Sequence, residues 1–389
     1  MSAERDRIMK IALVGTGFVA DYYMTTLANH PALSLAGVWD RDAARLEAFR
    51  AFHNVPAYAG LDALLADPAV GIVVNLTTPE SHYEITSRAL AAGKHVYCEK
   101  PLAMALAQAE ALVAQAQGAG LTLATAPANG LSDAHRLVED TLRGGRIGTP
   151  RLVYAAMEDG PVFRDKWASW RSRSGAPWPG LHEFEIGCTL EHAGYALSWL
   201  VTLFGPVESL TAFSAVTFPD KGPGTGQIAM APDFSVGCLQ FRSGVVARLT
   251  NGLAAPRDRS LQIFAEKGSL TLRDLWDNRS VIHVEEAGAP RPLLGRLLTH
   301  AEARLGRALP WKPAPGRRLP YPAAPASRAL PGYPSQIDFM RGVADQAEAI
   351  ARGAAPRFSG ALALHITELA LALNNARDLP QPYRPRSRF

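Results

Sequence analysis

Three cysteines in 389 residues leave little material for a covalent scaffold. Cys98, Cys188 and Cys238 are far apart, odd in number and without metal-ligand spacing, which argues against a disulfide framework or a zinc site and suits a reducing compartment. They read as small buried hydrophobes, and no metal is expected. No uninterrupted apolar run approaches the roughly 18 to 20 residues of a membrane span, so no transmembrane segment is expected. Hydrophobic residues at 48% are nevertheless ample for large cores. A sorting signal is also missing, because the first seven residues are polar or charged and the apolar run after them is broken by Gly15 and Gly17. The expected location is therefore cytoplasmic. Neither sign of charge dominates: the net charge is +4, with no lysine-rich run and no recognisable nucleic-acid motif, so an anionic small molecule suits the balance better than DNA. There is no internal repeat, and the length suits two domains better than one.

What is present begins with an apolar strand, Ile8 to Val14, running into Gly15-Thr16-Gly17-Phe18-Val19-Ala20 and then a helical pattern to about Asn29. In a G-x-G-x-x-A between strand and helix, the first glycine permits the tight turn and the second lets the backbone approach a pyrophosphate at the helix N-terminus. A second strand, Leu33 to Trp39, ends at Asp40, about 20 residues on, where a carboxylate accepts from an adenosine ribose. Asp40-Arg41-Asp42 would alternatively serve only to cap the next helix, a role that suits Asp42. Helices follow over Ala43 to His53 and Leu61 to Ala66, then a strand from Gly71 to Leu76. In Thr77-Thr78-Pro79-Glu80-Ser81-His82, Thr78 or Ser81 is placed to cap a helix running to Ala92. The short strand in Gly93-Lys94-His95-Val96-Tyr97-Cys98-Glu99-Lys100-Pro101 ends in a charged pair and a proline. Strands of open α/β sheets deliver chemistry at their carboxyl ends, which makes Lys100 the first catalytic candidate; a surface Glu-Lys pair before a proline turn is the plainer reading. A helix from Ala103 to Gln117 and a strand from Leu121 to Ala126 complete a parallel, doubly wound sheet.

Beyond residue 127 the texture changes. A helix is expected over Ser132 to Leu142, a strand over Arg151 to Met157, an irregular Trp- and Arg-rich stretch from Gly160 to Gly180, and a helix from Glu191 to Phe204. Six β-like segments follow at 207–217, 233–242, 244–251, 260–266, 268–274 and 280–285. Strands in succession without helices between them imply a mostly antiparallel sheet. Residues 287–334 are rich in Pro, Arg and Ala, with one amphipathic piece at Leu293 to Leu309 that suits a neighbouring subunit better than a membrane surface. Two helices, Ser335 to Arg352 and Ser359 to Asn375, close the chain. The expected division is residues 1–127 as an NAD-binding Rossmann domain and 128–389 as a domain for substrate binding and oligomerisation.

Together the glycine-rich turn, Asp40, Thr77-Thr78-Pro79 with His82, and above all Gly93 to Pro101 resemble the glucose-fructose oxidoreductase, inositol dehydrogenase and rhizopine-catabolism (Gfo/Idh/MocA) family. The resemblance is tight over the first 127 residues and looser beyond. It implies a Rossmann domain joined to a C-terminal α/β domain whose large open sheet supports homodimers or homotetramers. It implies that Lys100, after Glu99, lies at the nicotinamide and acts on the substrate hydroxyl or carbonyl, that Thr77 to His82 run along the cofactor, and that Trp170-Arg171 lies near the active site. The family's Asp-x-Gly-x-His-x-x-Asp helix matches Glu191, Ala193, Tyr195 and Ser198, so the usual histidine has become Tyr195 and the usual first aspartate Glu191. Glu191, Tyr195 and Ser198 share a helix face, and His192 is near enough to join them. The proton role is thus open between Tyr195 and His192, and a Tyr195 packed in the core of a site without redox chemistry is the competing reading.

Phe163 to Trp178 sets Trp167, Trp170 and Trp178 among Arg164, Lys166, Arg171 and Arg173, which suits a sugar ring with an anionic group, or else a loop under a subunit interface. The functional expectation is an NAD(P)-dependent oxidoreductase that interconverts a secondary alcohol and a ketone on a sugar, nucleotide sugar or cyclitol. Burial is expected to lower the pKa of Lys100 and make it a usable base. Asp40 favours NAD(H), with Arg41 leaving NADP(H) open. A redox-neutral glycosidase or epimerase, or a non-catalytic sugar or cofactor sensor, are the alternatives.

Overall fold

The computed structural model describes residues 8–289, 293–306, 316–323, 328–332 and 335–389. The N-terminal part alternates β1 (Met9–Val14), α1 (Ala20–Leu27), β2 (Leu33–Trp39), α2 (Ala43–His53), α3 (Leu61–Ala66), β3 (Ile72–Asn75), α4 (Pro79–Ala91), β4 (His95–Cys98), α5 (Leu106–Gly118) and β5 (Leu123–Thr125). Its strands pair in parallel in the order β2-β1-β3-β4-β5. Ile11 and Leu13 of β1 enter the core on one face and Ala12 and Val14 the core on the other, and β3 divides likewise into Ile72 and Val74 against Val73. Strands buried on both faces are covered by crossover helices on both sides, which is the physical origin of the Rossmann arrangement. Chain order reverses between β1 and β3, and the ligand crevice of such a sheet opens at that reversal. There Gly15 has φ +96°, and a Cβ on it would come within 2.7 Å of the Leu76 carbonyl oxygen, so the turn admits no side chain.

The second part runs α6 (Asp133–Arg143), β6 (Pro150–Glu158), α7 (Gly180–Ile186), α8 (Cys188–Phe204), β7 (Val207–Ala215), β8 (Phe234–Phe241), β9 (Val246–Gly252), β10 (Leu261–Ala265), β11 (Gly268–Leu272), β12 (Ile282–Glu286), α9 (Leu293–Leu305), β13 (Arg317–Arg318), α10 (Met340–Ala351) and α11 (Gly360–Asn374). The strands form one sheet in the order β13-β12-β11-β10-β6-β9-β8-β7, antiparallel throughout except for the parallel β6-β9 pair. Leu210, Leu239, Ala247 and Leu249 alternate onto the face covered by α8 and α11, while Phe213, Val246 and Phe264 alternate onto the open face. Cys238 belongs to the open face as well. It is exposed between buried Gly237 and Leu239, which corrects the expectation of three buried cysteines.

Several boundaries differ from the sequence expectation, among them the start of α5 at Leu106 rather than Ala103. Helix α8 starts three residues early, at Cys188, and the short α7 lies where an irregular run ended. Helix α10 starts at Met340 rather than Ser335, because tertiary contacts hold the entering chain: Asp338 meets His30 at 3.0 Å and the Met340 N–H donates to the Thr26 hydroxyl at 3.0 Å. Helix α9 accounts for the amphipathic stretch up to Leu305, and residues 307–309 lie outside the described residues. The final helices return to the parallel sheet, where the Gln346 side-chain amide donates to the carbonyls of Val96 and Thr122 at 2.9 and 3.1 Å. Among the described residues no helix is long and apolar enough to cross a membrane.

The segment after β7 is fastened by a buried ion pair. Lys221 and Asp233 are each 1% exposed and meet at 2.8 Å, and Asp233 also accepts from the backbone N–H groups of Thr217 and Phe218 at 2.6 and 2.9 Å. Removing one partner leaves the other charge buried without compensation, so Lys221→Met is expected to cost about 3 kcal/mol in urea unfolding. A loss within about 0.5 kcal/mol, the size of an ordinary surface change, would show that Asp233 is satisfied by the backbone alone.

Candidate active site

A cavity of about 870 Å³ opens along the carboxyl ends of β1 to β4 and continues beneath α7 and α8. This lies at the upper end of the range for small-molecule sites. Gly15, Gly17, Phe18 and Val19 line it at the β1 end, and a Cβ on Gly17 would meet nothing within 4 Å, so that backbone is open to a ligand. Asp40 reinforces the turn: one carboxylate oxygen accepts from the Thr16 N–H and hydroxyl at 2.7 and 3.0 Å, and the other from the Asp42 N–H at 2.9 Å. The second oxygen retains an acceptor site for a ribose hydroxyl. Asp42 caps α2 through the N–H groups of Ala44 and Arg45. Arg41 and Arg45 also line this end, and Arg45 lies 3.6 Å from Asp40.

Following β4, the Glu99 carboxylate accepts from the Tyr23 hydroxyl at 2.7 Å and from the Lys100 N–H at 3.1 Å, which fixes the backbone from which Lys100 extends. The Lys100 ammonium crosses to α8 and meets the Glu191 carboxylate at 2.6 Å; their side chains are 14% and 9% exposed. Burial opposes the charge on Lys100, but Glu191, with Tyr195 and Glu99 behind it, outweighs burial and pushes the lysine pKa up. The expectation of a lysine made basic by desolvation is thereby corrected: Lys100 is an ammonium that donates. Burial likewise opposes the carboxylate of Glu191, and Lys100 holds its pKa below the usual value. Tyr195 sits one turn along, its ring 5.6 Å from the Lys100 nitrogen and 4.7 Å from the ring of Trp276. Burial raises its pKa, so it is a neutral phenol. Ser198 faces away from this group and donates to the Tyr195 carbonyl at 2.9 Å.

His192, on the same helix, lines the cavity and lies with Nδ1 3.1 Å from Asp159 Oδ2, off the line of an ideal hydrogen bond. Asp159 in turn receives the Arg259 Nε at 2.7 Å, and Arg259 is stacked on Trp276 at 3.5 Å. Glu183, on α7, lines the same chamber, and burial with the nearby charge of Glu191 raises its pKa well above that of an ordinary carboxylate. Asp159, Arg259 and Glu183 were not singled out from sequence. Asp159 directly follows a strand, a readable signal, but Arg259 is a hundred residues away with no local mark.

His82 occupies a different place from the one implied for it. It is 0% exposed and outside the cavity wall, with Nδ1 2.6 Å from the Pro101 carbonyl oxygen and Nε2 3.0 Å from that of Thr77. Only a doubly protonated ring donates to both. Burial opposes that charge, but Cys98, the Pro101 carbonyl and Glu99 hold the pKa at about 9. His82 is thus a brace between the Thr77 loop and the end of β4. Thr77, Thr78 and Pro79 do line the cavity, Thr78 preceding α4 without a side-chain capping bond. Trp170 and Arg171 line it too, but the Arg171 guanidinium donates to the carbonyls of Ala168 and Trp170. Arg173 reaches Thr25 at 3.2 Å and stacks on Phe52, and Arg164 stacks on Phe163 and Phe218. These cations fasten the loop, and the chamber beside Lys100 is lined by Asp159, Glu183 and Glu191. Besides that of Arg173, further contacts join the loop and α7 to the Rossmann part, among them the Ser174 hydroxyl to Asp21 at 2.8 Å and His182 to Glu80 at 2.6 Å.

A dinucleotide crevice that leads to a buried lysine and a facing helix of acid-base residues defines an oxidoreductase. The chain belongs to the Gfo/Idh/MocA oxidoreductases: residues 9–126 match the family's NAD-binding Rossmann model and residues 135–271 its C-terminal domain. An uncharacterised oxidoreductase of Schizosaccharomyces pombe is 31% identical over 52% of this chain, which spans 54% of that protein. The trans-1,2-dihydrobenzene-1,2-diol dehydrogenase of Mus musculus is 26% identical over 74% of this chain and 82% of its own length. Among solved structures, the aldose-aldose oxidoreductase of Caulobacter crescentus superposes with a TM-score of 0.72 at 20% identity, covering 97% of this chain and all of the other (100%).

Because Lys100 and Glu191 satisfy each other across the cleft, Lys100→Met is expected to destabilise the ligand-free protein by about 3 kcal/mol by stranding a buried carboxylate. The double variant Lys100→Met/Glu191→Gln should recover most of that loss. Chemical unfolding of the parent, Lys100→Met, Glu191→Gln and the double variant gives the coupling, and additive losses would show that the pair is not formed in solution.

Proposed function

We propose that the protein interconverts a secondary alcohol and a ketone on a neutral, polyhydroxylated ring, a sugar or a cyclic diol, with NAD(P) as partner. The observation that carries this reading is the Lys100 ammonium, held by Glu191 in the same cavity that the glycine-rich turn opens. Bound NAD(P) supplies the hydride acceptor or donor. Residues 15–19 and 77–79 would hold it, with Asp40 at the ribose. Lys100 donates to the reacting oxygen and stabilises negative charge developing there, as a preorganised cation does in a cleft shielded from water. Tyr195, whose hydroxyl has no hydrogen-bond partner among the described residues, supplies the second contact to that oxygen. Trp170 and Trp178 line the cavity where a ring would lie, and the carboxyls of Asp159, Glu183 and Glu191 suit hydroxyl groups better than an anion. The vicinal diol named for the mouse relative and the aldose named for the Caulobacter enzyme are both of this kind.

Oxidation of trans-1,2-dihydrobenzene-1,2-diol and of D-glucose, followed by nicotinamide absorbance, tests the reading. Turnover is expected in the parent, none in Lys100→Ala, and about 100-fold less in Tyr195→Phe. Cofactor and sugar binding without turnover in the parent would make the protein a sensor instead.

For the cofactor, Asp40 would meet an NADP 2′-phosphate with like charge, while Arg41 and Arg45 temper the repulsion. NAD(H) is expected to bind at least about tenfold tighter, or 1.4 kcal/mol, by calorimetry. Tighter NADPH binding would mean that the two arginines govern the pocket.

A further inference from the structure

The chamber holds more acid-base groups than one hydroxyl needs, and most are already committed. Lys100 and Glu191 neutralise each other at 2.6 Å, and Arg259 neutralises Asp159 through two donors to a single oxygen, Oδ1. Those two ion pairs cancel, leaving the buried centre without net charge. Neither Lys100, which is full, nor Tyr195, a phenol held neutral by burial, keeps a proton taken from substrate at neutral pH. Burial and the charge of Glu191 raise the Glu183 pKa well above that of an ordinary carboxylate, which favours the form that already holds its proton. His182, at the rim, is bonded to Glu80. His192 remains: its Nδ1 is buried against Asp159 Oδ2, and the ring keeps 14% exposure where it lines the chamber.

We propose that His192 is the final proton acceptor in alcohol oxidation, and that Asp159, clamped by Arg259, is the positioning residue that holds it for that task. Arg259 occupies Oδ1 and so presents Oδ2 to the imidazole, while the stack of Arg259 on Trp276 at 3.5 Å fixes the guanidinium. Trp276 also packs on His192 and Tyr195, with ring centroids 6.0 and 4.7 Å away, so one aromatic wall sets the three polar groups in register. The substrate hydroxyl gives its proton to the Tyr195 oxygen as the phenol proton passes to His192 Nε2, and the carbon gives its hydride to NAD+. The products are ketone, NADH and an imidazolium that faces Asp159, so two hydrogens leave the substrate as one proton and one hydride. An imidazolium beside the ammonium of Lys100 would be repelled without Asp159; the carboxylate at 3.1 Å offsets that repulsion.

The groups that face His192 are Lys100 just after β4, Asp159 just after β6, Arg259 just before β10, and Glu191 and Tyr195 from its own helix. Burial lowers the pKa of His192, Asp159 and Glu191 raise it, and Lys100 and Arg259 lower it, with a net downward shift. Removing the Asp159 charge must lower it further.

This inference rests on the redox reading above, and its test separates the two. In NAD+-saturated enzyme oxidising trans-1,2-dihydrobenzene-1,2-diol, the acidic limb of kcat against pH is expected to lie below the ordinary histidine value of about 6.5. Asp159→Asn should move that limb to lower pH and reduce kcat about 10- to 100-fold with little change in KM, Asp159→Glu should restore part of the rate, and His192→Gln should abolish the limb. ¹⁵N-histidine NMR of the NAD+-loaded proteins follows the His192 titration directly and needs no turnover. There Asp159→Asn should lower the titration midpoint and shift the ring away from the Nδ1–H tautomer. An unchanged His192 titration in Asp159→Asn overturns the proposal even if the parent turns over nothing. So does an acidic limb that survives in His192→Gln. An inactive parent with a shifted His192 titration would instead defeat the redox reading and leave the Asp159–His192 coupling standing.

Discussion

The ion pair between Lys100 and Glu191 ties the end of a strand in the parallel sheet to the first turn of the helix that crowns the antiparallel one. A cation and an anion this deeply buried are each costly to desolvate, and their mutual attraction returns that cost only when the two halves of the chain are brought to one geometry. The Lys100 ammonium is therefore a registration device between the two sheets. Its backbone is held from below by Glu99 and the Tyr23 hydroxyl, and from the side by His82, which braces the Thr77 and Pro101 carbonyls at once. The cofactor loop and the lysine are thus parts of one polar frame, and what disturbs either is felt by the other.

In the proposed reaction the cleft around that frame separates hydrogen-bond donation from proton acceptance. Lys100 and Tyr195 line the chamber in protonated form, while His192 lies in the same chamber with its own carboxylate and that carboxylate's own arginine. Two internal ion pairs keep the buried charge near zero, which matters because an unbalanced charge in a cleft of low polarity would move every pKa near it. The tryptophans divide their work similarly: Trp167 packs with Phe184 and Leu253 in a small core of its own, whereas Trp170, Trp178 and Trp276 line the cavity.

The parallel sheet was legible because its signals are local. Apolar strands buried on both faces, a glycine that no other residue replaces at φ +96°, and a carboxylate at the end of β2 all leave marks within a few residues. The antiparallel sheet was legible as a set of strands, but its one parallel pair, β6 with β9, joins segments nearly a hundred residues apart and has no local mark. The same limit applied to the site. Lys100 and the α8 residues were read from their elements, while Asp159, Arg259 and Glu183 acquire meaning only from what stands opposite them. The sequence-based view of Lys100 as a desolvated base was wrong for that reason, since burial was foreseen and the carboxylate 2.6 Å away was not. The arginines of the Trp-rich loop suggested an anionic ligand, yet in place they stack on aromatic rings or bond backbone carbonyls.

The central claim is that the reacting end of the cofactor meets a lysine kept charged by Glu191. A crystal structure of the protein with NAD+ tests it most directly. The pyrophosphate should lie on the turn from Gly15 to Val19, with the nicotinamide ring beside the Lys100 nitrogen and the Lys100–Glu191 contact intact. A nicotinamide lodged away from Lys100, or a Lys100 released from Glu191 to bond the cofactor alone, would contradict the account.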